Sequence, residues 1–96
     1  QLRTLRFHRV DHDSLLAYSK TDPATGDTVI CVVTLDPVNT VSGTVWLDLP
    51  ALGMDSRDRF DAHDEVSGET YDWGQTNFVQ LQPWRAVAHI VRLRRP

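Results

Sequence analysis

Thr28-Val29-Ile30-Cys31-Val32-Val33-Thr34-Leu35 is the stretch that decides the fold. It is apolar on both alternating faces and β-branched nearly throughout, which suits a pleated strand better than a helix. Such a run reads as a central strand, buried from both sides. Asp36-Pro37-Val38-Asn39-Thr40 stops it, because proline has no amide to give a ladder. Upstream, Thr21-Asp22-Pro23-Ala24-Thr25-Gly26-Asp27 is a hairpin loop, with Pro23 fixing φ early and Gly26 free to take positive φ late.

Working outward, period two persists. Thr4 to Val10 alternates, which predicts Leu5 and Phe7 on a dry face and Arg6 and His8 on a wet one. Asp11-His12-Asp13 punctuates. Asp13 could cap a short helix over Ser14 to Lys20, but that segment is short and the chain turns at both ends, so it reads as a strand. Ser42 to Leu49 alternates Val45, Leu47 and Leu49 against Thr44, Trp46 and Asp48. Leu52 and Met54 are expected to tuck under the sheet from a compact loop. Arg59 to Asp64 is a short strand, and Glu65 to Tyr71 a hairpin turn built on Ser67-Gly68. After a bend at Trp73 to Asn77 come a strand over Phe78 to Gln82, a corner at Pro83-Trp84-Arg85, and a closing strand with Val87, His89, Val91 and Leu93 on one face. About eight short strands with turns between them, and no helix long enough to cross between parallel strands, predict an all-β fold: a single antiparallel β-sandwich.

With 96 residues, 41% hydrophobic and 24% charged, the chain has the composition of one globular domain over 1–96. A chain this size buries about 60% of its unfolded surface, enough for one modest core without metal or disulfide. The formal net charge of −3 gives no electrostatic case for nucleic acid. Arg92-Leu93-Arg94-Arg95 reads as a strand running out into solvent rather than a binding tail. No apolar stretch approaches the roughly 20 residues that span a bilayer, so no membrane partner is expected. Cys31 cannot pair within the chain and reads as a small buried hydrophobe. With no disulfide framework and no signal peptide, a cytoplasmic location is expected. Gln1 in place of Met suggests a fragment of a longer polypeptide or a processed product.

The search for chemistry yields little. There is no G-x-S-x-G elbow, no Gly-rich phosphate loop and no H-E-x-x-H, and the Ser, His and Asp positions are explained by turns. His8 and His12 on one strand would stand roughly 13 Å apart, too far for one ion, so Asp11, His12 and Asp13 read as a solvated turn. Asp55, Asp58, Asp61, Asp64 and Glu65 lack the EF-hand pattern and read as a solvated acidic edge. No catalytic residue, metal site or cofactor is therefore expected. The aromatics weigh more. Trp46, Tyr71, Trp73 and Trp84 fall at strand edges or corners, where rings cap a core, meet another domain or stack on sugar.

Several stretches together resemble a known family. They are Thr4 to Arg9, Leu16 to Lys20, Val32 to Pro37, Asp64 to Gly74, Asn77 to Leu81 and Pro83 to His89. In this order they are similar to the C-terminal domain of the α-1,4-glucan:maltose-1-phosphate maltosyltransferases, members of the α-amylase superfamily, in an actinobacterial form. The acidic hairpin Asp64 to Gly74 is the most specific segment. Thr34 departs from the pattern, which more often has Asn before Leu35-Asp36. The resemblance implies a β-sandwich of the α-amylase C-terminal type, packed on an upstream (β/α)₈ barrel of the same polypeptide. It implies that the parent transfers maltosyl units from α-maltose 1-phosphate to α-1,4-glucan with retention, and that the catalytic Asp and Glu belong to the barrel. No family catalytic residue maps onto this chain. Beyond the barrel, α-glucan and a second copy of the parent, as a homodimer, are the further partners the resemblance leaves open.

Overall fold

The computed structural model describes residues 4–94, so Gln1 and Arg95 lie outside the described residues. Within them the chain forms eight strands: β1 (Thr4–Val10), β2 (Leu15–Thr21), β3 (Thr28–Thr34), β4 (Val41–Trp46), β5 (Phe60–Asp64), β6 (Thr70–Trp73), β7 (Thr76–Leu81) and β8 (Ala88–Arg94). A 3₁₀ turn, Pro50–Leu52, interrupts the connection from β4 to β5. The strand order is β6-β5-β8-β3-β2-β1-β4-β7, and every pairing is antiparallel. The fold is all-β, as its turn spacing predicts.

The sheet closes over itself at β1, which serves both layers. Thr4 to His8 pair with β2, while Arg9 and Val10 pair with Trp46 and Val45 of β4. A six-stranded layer (β6-β5-β8-β3-β2-β1) thereby faces a smaller one (β1-β4-β7), a sandwich whose corner is a strand that switches sheets. The core between them takes alternate residues from each strand: Leu15, Ala17, Ile30, Val32 and Val91 on the larger layer, Val41, Val45, Val79 and Leu81 on the smaller. Leu47, Leu49, Leu52 and Met54 follow the β4 register inward and close one end of the core. Each such side chain contributes about 1.5–3 kcal/mol by leaving water. Among the described residues no buried side-chain nitrogen or oxygen lacks a partner.

Two expectations are corrected here. The alternation in β1 is real but inverted: Leu5 and Phe7 are 52% and 63% exposed, and it is His8 that turns inward. The imidazole is accommodated by hydrogen bonds. The Asp48 amide donates to Nδ1 at 3.3 Å, which leaves Nε2 as the donor to the Ser19 hydroxyl at 2.8 Å. β3 is central, between β2 and β8, yet only its inner face is sealed; Val29, Cys31 and Val33 on the outer face are half-buried. The outer face of the six-stranded layer therefore remains apolar and open.

The β1–β2 bend is held by polar contacts of its own. Asp11 Oδ1 accepts the Thr44 amide at 2.7 Å, and His12 Nδ1 accepts the Ser14 amide at 3.0 Å. Where the bend crosses β4, Gly43 leaves the room: a Cβ there would stand 2.6 Å from Asp11 Oδ1 and 3.0 Å from Leu15 Cδ1.

Candidate functional site

The densest polar cluster sits where the β5–β6 hairpin reaches across to β7 and β8. Asp64 ends β5 and begins the turn, and Gly68 supplies the positive φ (80°) that reverses the chain. Asp64 is only 1% exposed. Its Oδ1 accepts the Val66 amide at 3.0 Å and the Ile90 amide at 3.3 Å; its Oδ2 accepts the Ser67 hydroxyl at 3.0 Å and His89 Nδ1 at 2.8 Å. Burial alone would raise this carboxyl, but the hydrogen bonds from His89, Val66 and Ser67 outweigh it and hold it below the ordinary carboxylate range. The expectation of a solvated acidic edge therefore fails at Asp64. The same stretch does supply ordinary turn contacts elsewhere, as where Asp58 Oδ2 accepts the Asp55 amide at 3.0 Å.

His89 carries the cluster across the sandwich. Its Nδ1 donates to Asp64 while its Nε2 faces the Gln80 carbonyl oxygen of β7 at 3.4 Å. Beside it, Tyr71 donates its hydroxyl to Glu69 Oε2 at 2.6 Å, and burial and that bond together raise the phenol above its usual value. These groups border a cavity of about 450 Å³, which Gln80, Gln82 and Arg85 also line. Serine, histidine and aspartate are thus brought together, but in the wrong connection for nucleophilic catalysis. Ser67 and His89 both bond the same oxygen of Asp64, so the hydroxyl is given to the carboxylate and not to a base. The arrangement is a clasp that ties the hairpin to β8 and β7.

The four aromatic candidates separate. Trp73 is 6% exposed and belongs to the core, which removes its ring from the surface. Tyr71 stacks on it, with centroids 6.4 Å apart, and meets His89 edge-on. Trp46 is half-buried beneath the Arg9 guanidinium, 4.7 Å from its ring centre. Trp84 is 67% exposed, between two residues that line the cavity, Gln82 and Arg85. Of the four, Tyr71 lines this cavity, while Trp84 and Trp46 do not. The Asp64–His89 pair escapes a reading of the sequence, for its members lie 25 positions apart. The only local signal is the aspartate opening a Ser-Gly turn, a position that favours side-chain acceptance of the next amides.

Comparison with known proteins identifies the family. The family model described as GLGE, C-terminal, matches residues 7–93. The chain is 56% identical over 93 residues to the alpha-1,4-glucan:maltose-1-phosphate maltosyltransferase of Mycolicibacterium smegmatis, covering 97% of this chain and 13% of that protein. It is 57% identical, with the same coverage, to the protein of that name from Mycobacterium tuberculosis. It is 49% identical over 96 residues to maltosyltransferase 2 of Streptomyces coelicolor, covering 100% of this chain and 14% of that protein. The chain spans about an eighth of the length of these relatives. With the match running through nearly all of the sandwich, the chain belongs to the GLGE C-terminal domain family.

Proposed function

We propose that this domain is the non-catalytic C-terminal accessory domain of a transferase that passes maltosyl units from maltose 1-phosphate to α-1,4-glucan, and that it is carried on the same polypeptide as a catalytic (β/α)₈ barrel. The carrying observation is the clasp. The acid, base and hydroxyl groups that converge at the β5–β6 hairpin are bonded to one another in a way that fixes the fold, with Ser67 and His89 sharing Asp64 Oδ2. The match of the whole domain to about an eighth of each relative, under a C-terminal family description, supports the same reading. A cytoplasmic setting goes with it, since a lone half-buried thiol such as Cys31 persists in reducing surroundings. The purified 96-residue chain is expected to release no phosphate from maltose 1-phosphate in the presence of maltoheptaose. Turnover above the buffer rate would sink the reading.

A second reading has one observation in its favour. Tyr71 lines the polar cavity together with Gln80, Gln82 and Arg85, an arrangement suited to stacking on a sugar while amides and a guanidinium take its hydroxyls. On that reading the domain is a glycan-binding module and also contacts α-glucan. Titrating maltoheptaose to millimolar concentration should then shift tryptophan fluorescence through Trp73, on which Tyr71 stacks, and Tyr71→Ala should abolish the shift. An unchanged spectrum would exclude it.

A further inference from the structure

We infer that the open seam between β6 and β7 is a groove for a linear oligosaccharide, and that Arg59, Asp72 and Phe78 form a second sugar subsite in it, beside the Tyr71 cavity. The inference rests on the second reading above, in which the domain binds glycan, and adds to it the subsite and a dependence on chain length.

The seam follows from the strand order. β6 and β7 are the two edges of the eight-stranded sheet, although only Gly74 and Gln75 separate them in the chain. A connection that short ordinarily closes a hairpin. Here the Asn77 side chain stands in for a strand partner at the bend. Its Oδ1 accepts the Gly74 amide at 2.9 Å, and its Nδ2 donates to the Gly74 carbonyl oxygen at 2.8 Å. The strands therefore part into different layers, and two cavities lie between them. One is the cavity of about 450 Å³ already described; the other, of about 510 Å³, is lined by Arg59, Asp72, Thr76 and Phe78. Tyr71 borders both, which joins them along the seam.

The second cavity has a fixed polar wall. Arg59 donates Nε to Asp72 Oδ1 at 3.3 Å and Nη2 to the Asp72 carbonyl oxygen at 2.8 Å, which holds the guanidinium flat with N–H groups to spare. Gly74 gives it room, for a Cβ there would stand 2.8 Å from Arg59 Nη1. Opposite, Phe78 is 71% exposed on a strand that turns Asn77, Val79 and Leu81 to the core.

Chemistry selects the ligand. The Asp72 carboxylate is paired with Arg59, so the subsite carries no net charge to attract an ion. A planar donor fork beside a planar acceptor suits neighbouring hydroxyls, which both donate and accept, and an exposed ring suits the C–H face of a pyranose. The first cavity repeats the pattern with Arg85 and Glu69, the amides of Gln80 and Gln82, and the Tyr71 ring. Two such sets in one groove fit separate units of one sugar chain.

The test is calorimetric titration of the 96-residue chain with maltose and with maltoheptaose. Maltoheptaose, long enough to engage both cavities at once, is expected to bind about tenfold tighter than maltose. Phe78→Ala should remove that advantage and leave maltose affinity within about twofold of wild type, while Phe78→Tyr restores it. Arg59→Gln should weaken maltoheptaose severalfold, and covers the case in which Phe78→Ala does not fold. Equal affinity for the two sugars, or wild-type maltoheptaose affinity in both Phe78→Ala and Arg59→Gln, would overturn the inference and leave the Tyr71 cavity as a glycan site. Absence of binding by either sugar at millimolar concentration would overturn that reading as well.

Discussion

At the scale of single residues, Asp64 and His8 are polar groups placed where the chain might have used carbon, and both make stability depend on acidity. Burial lowers the His8 imidazole from its ordinary value, so the folded chain resists a proton that the unfolded chain accepts. The stability tied to His8 is then complete above about pH 6.5 and declines as the pH falls below it. Asp64 is held low, so its contribution is complete above about pH 4 and is lost as the pH falls further. Urea unfolding followed from pH 7 down to pH 3 should show both losses. His8→Gln is expected to flatten the portion that begins just below about pH 6.5, leaving the portion below about pH 4 intact. Asp64→Asn should remove the lower portion and cost about 2–3 kcal/mol at neutral pH by disturbing its four hydrogen bonds. Neither role is evident from the sequence alone. A buried histidine and an exposed one look alike in an alternating strand, and the identity of the group across the sandwich is not encoded nearby.

Elements were easier to read than residues, because strand periodicity and turn chemistry are local. Strands expected over Ser42 to Leu49 and Phe78 to Gln82 form as Val41–Trp46 and Thr76–Leu81, so alternation locates them but not their ends, while the turns at Gly26 and Gly68 follow from the need for positive φ. What alternation cannot decide is which of two faces is the dry one, and β1 shows why. Leu5, Phe7 and His8 define two faces correctly, but the choice between them is made by the register with β2, where His8 meets Ala17 and Phe7 meets Tyr18. The corner between β1 and β4 also hides a steric demand at Gly43. Gly43→Ala is expected to displace the Asp11 carboxylate from the Thr44 amide and to destabilise the domain by about 1–2 kcal/mol. The check is a lower urea midpoint with an unchanged m-value, which separates a local clash from loss of the fold.

For the molecule as a whole, the ladder joins segments far apart in sequence: β1 with β4, β3 with β8, β5 with β8. Such topology folds slowly, and stopped-flow refolding followed by tryptophan fluorescence is expected to take milliseconds to seconds. Microsecond refolding would contradict the non-local ladder. Because one strand belongs to both layers, the two halves of the sandwich cannot open separately at that corner. Detaching β1 strips β2 of a neighbour in one layer and β4 of a neighbour in the other. Native-state hydrogen exchange should therefore find the amides of β2 and β4 leaving protection together, with one opening free energy, as a single foldon that straddles both sheets.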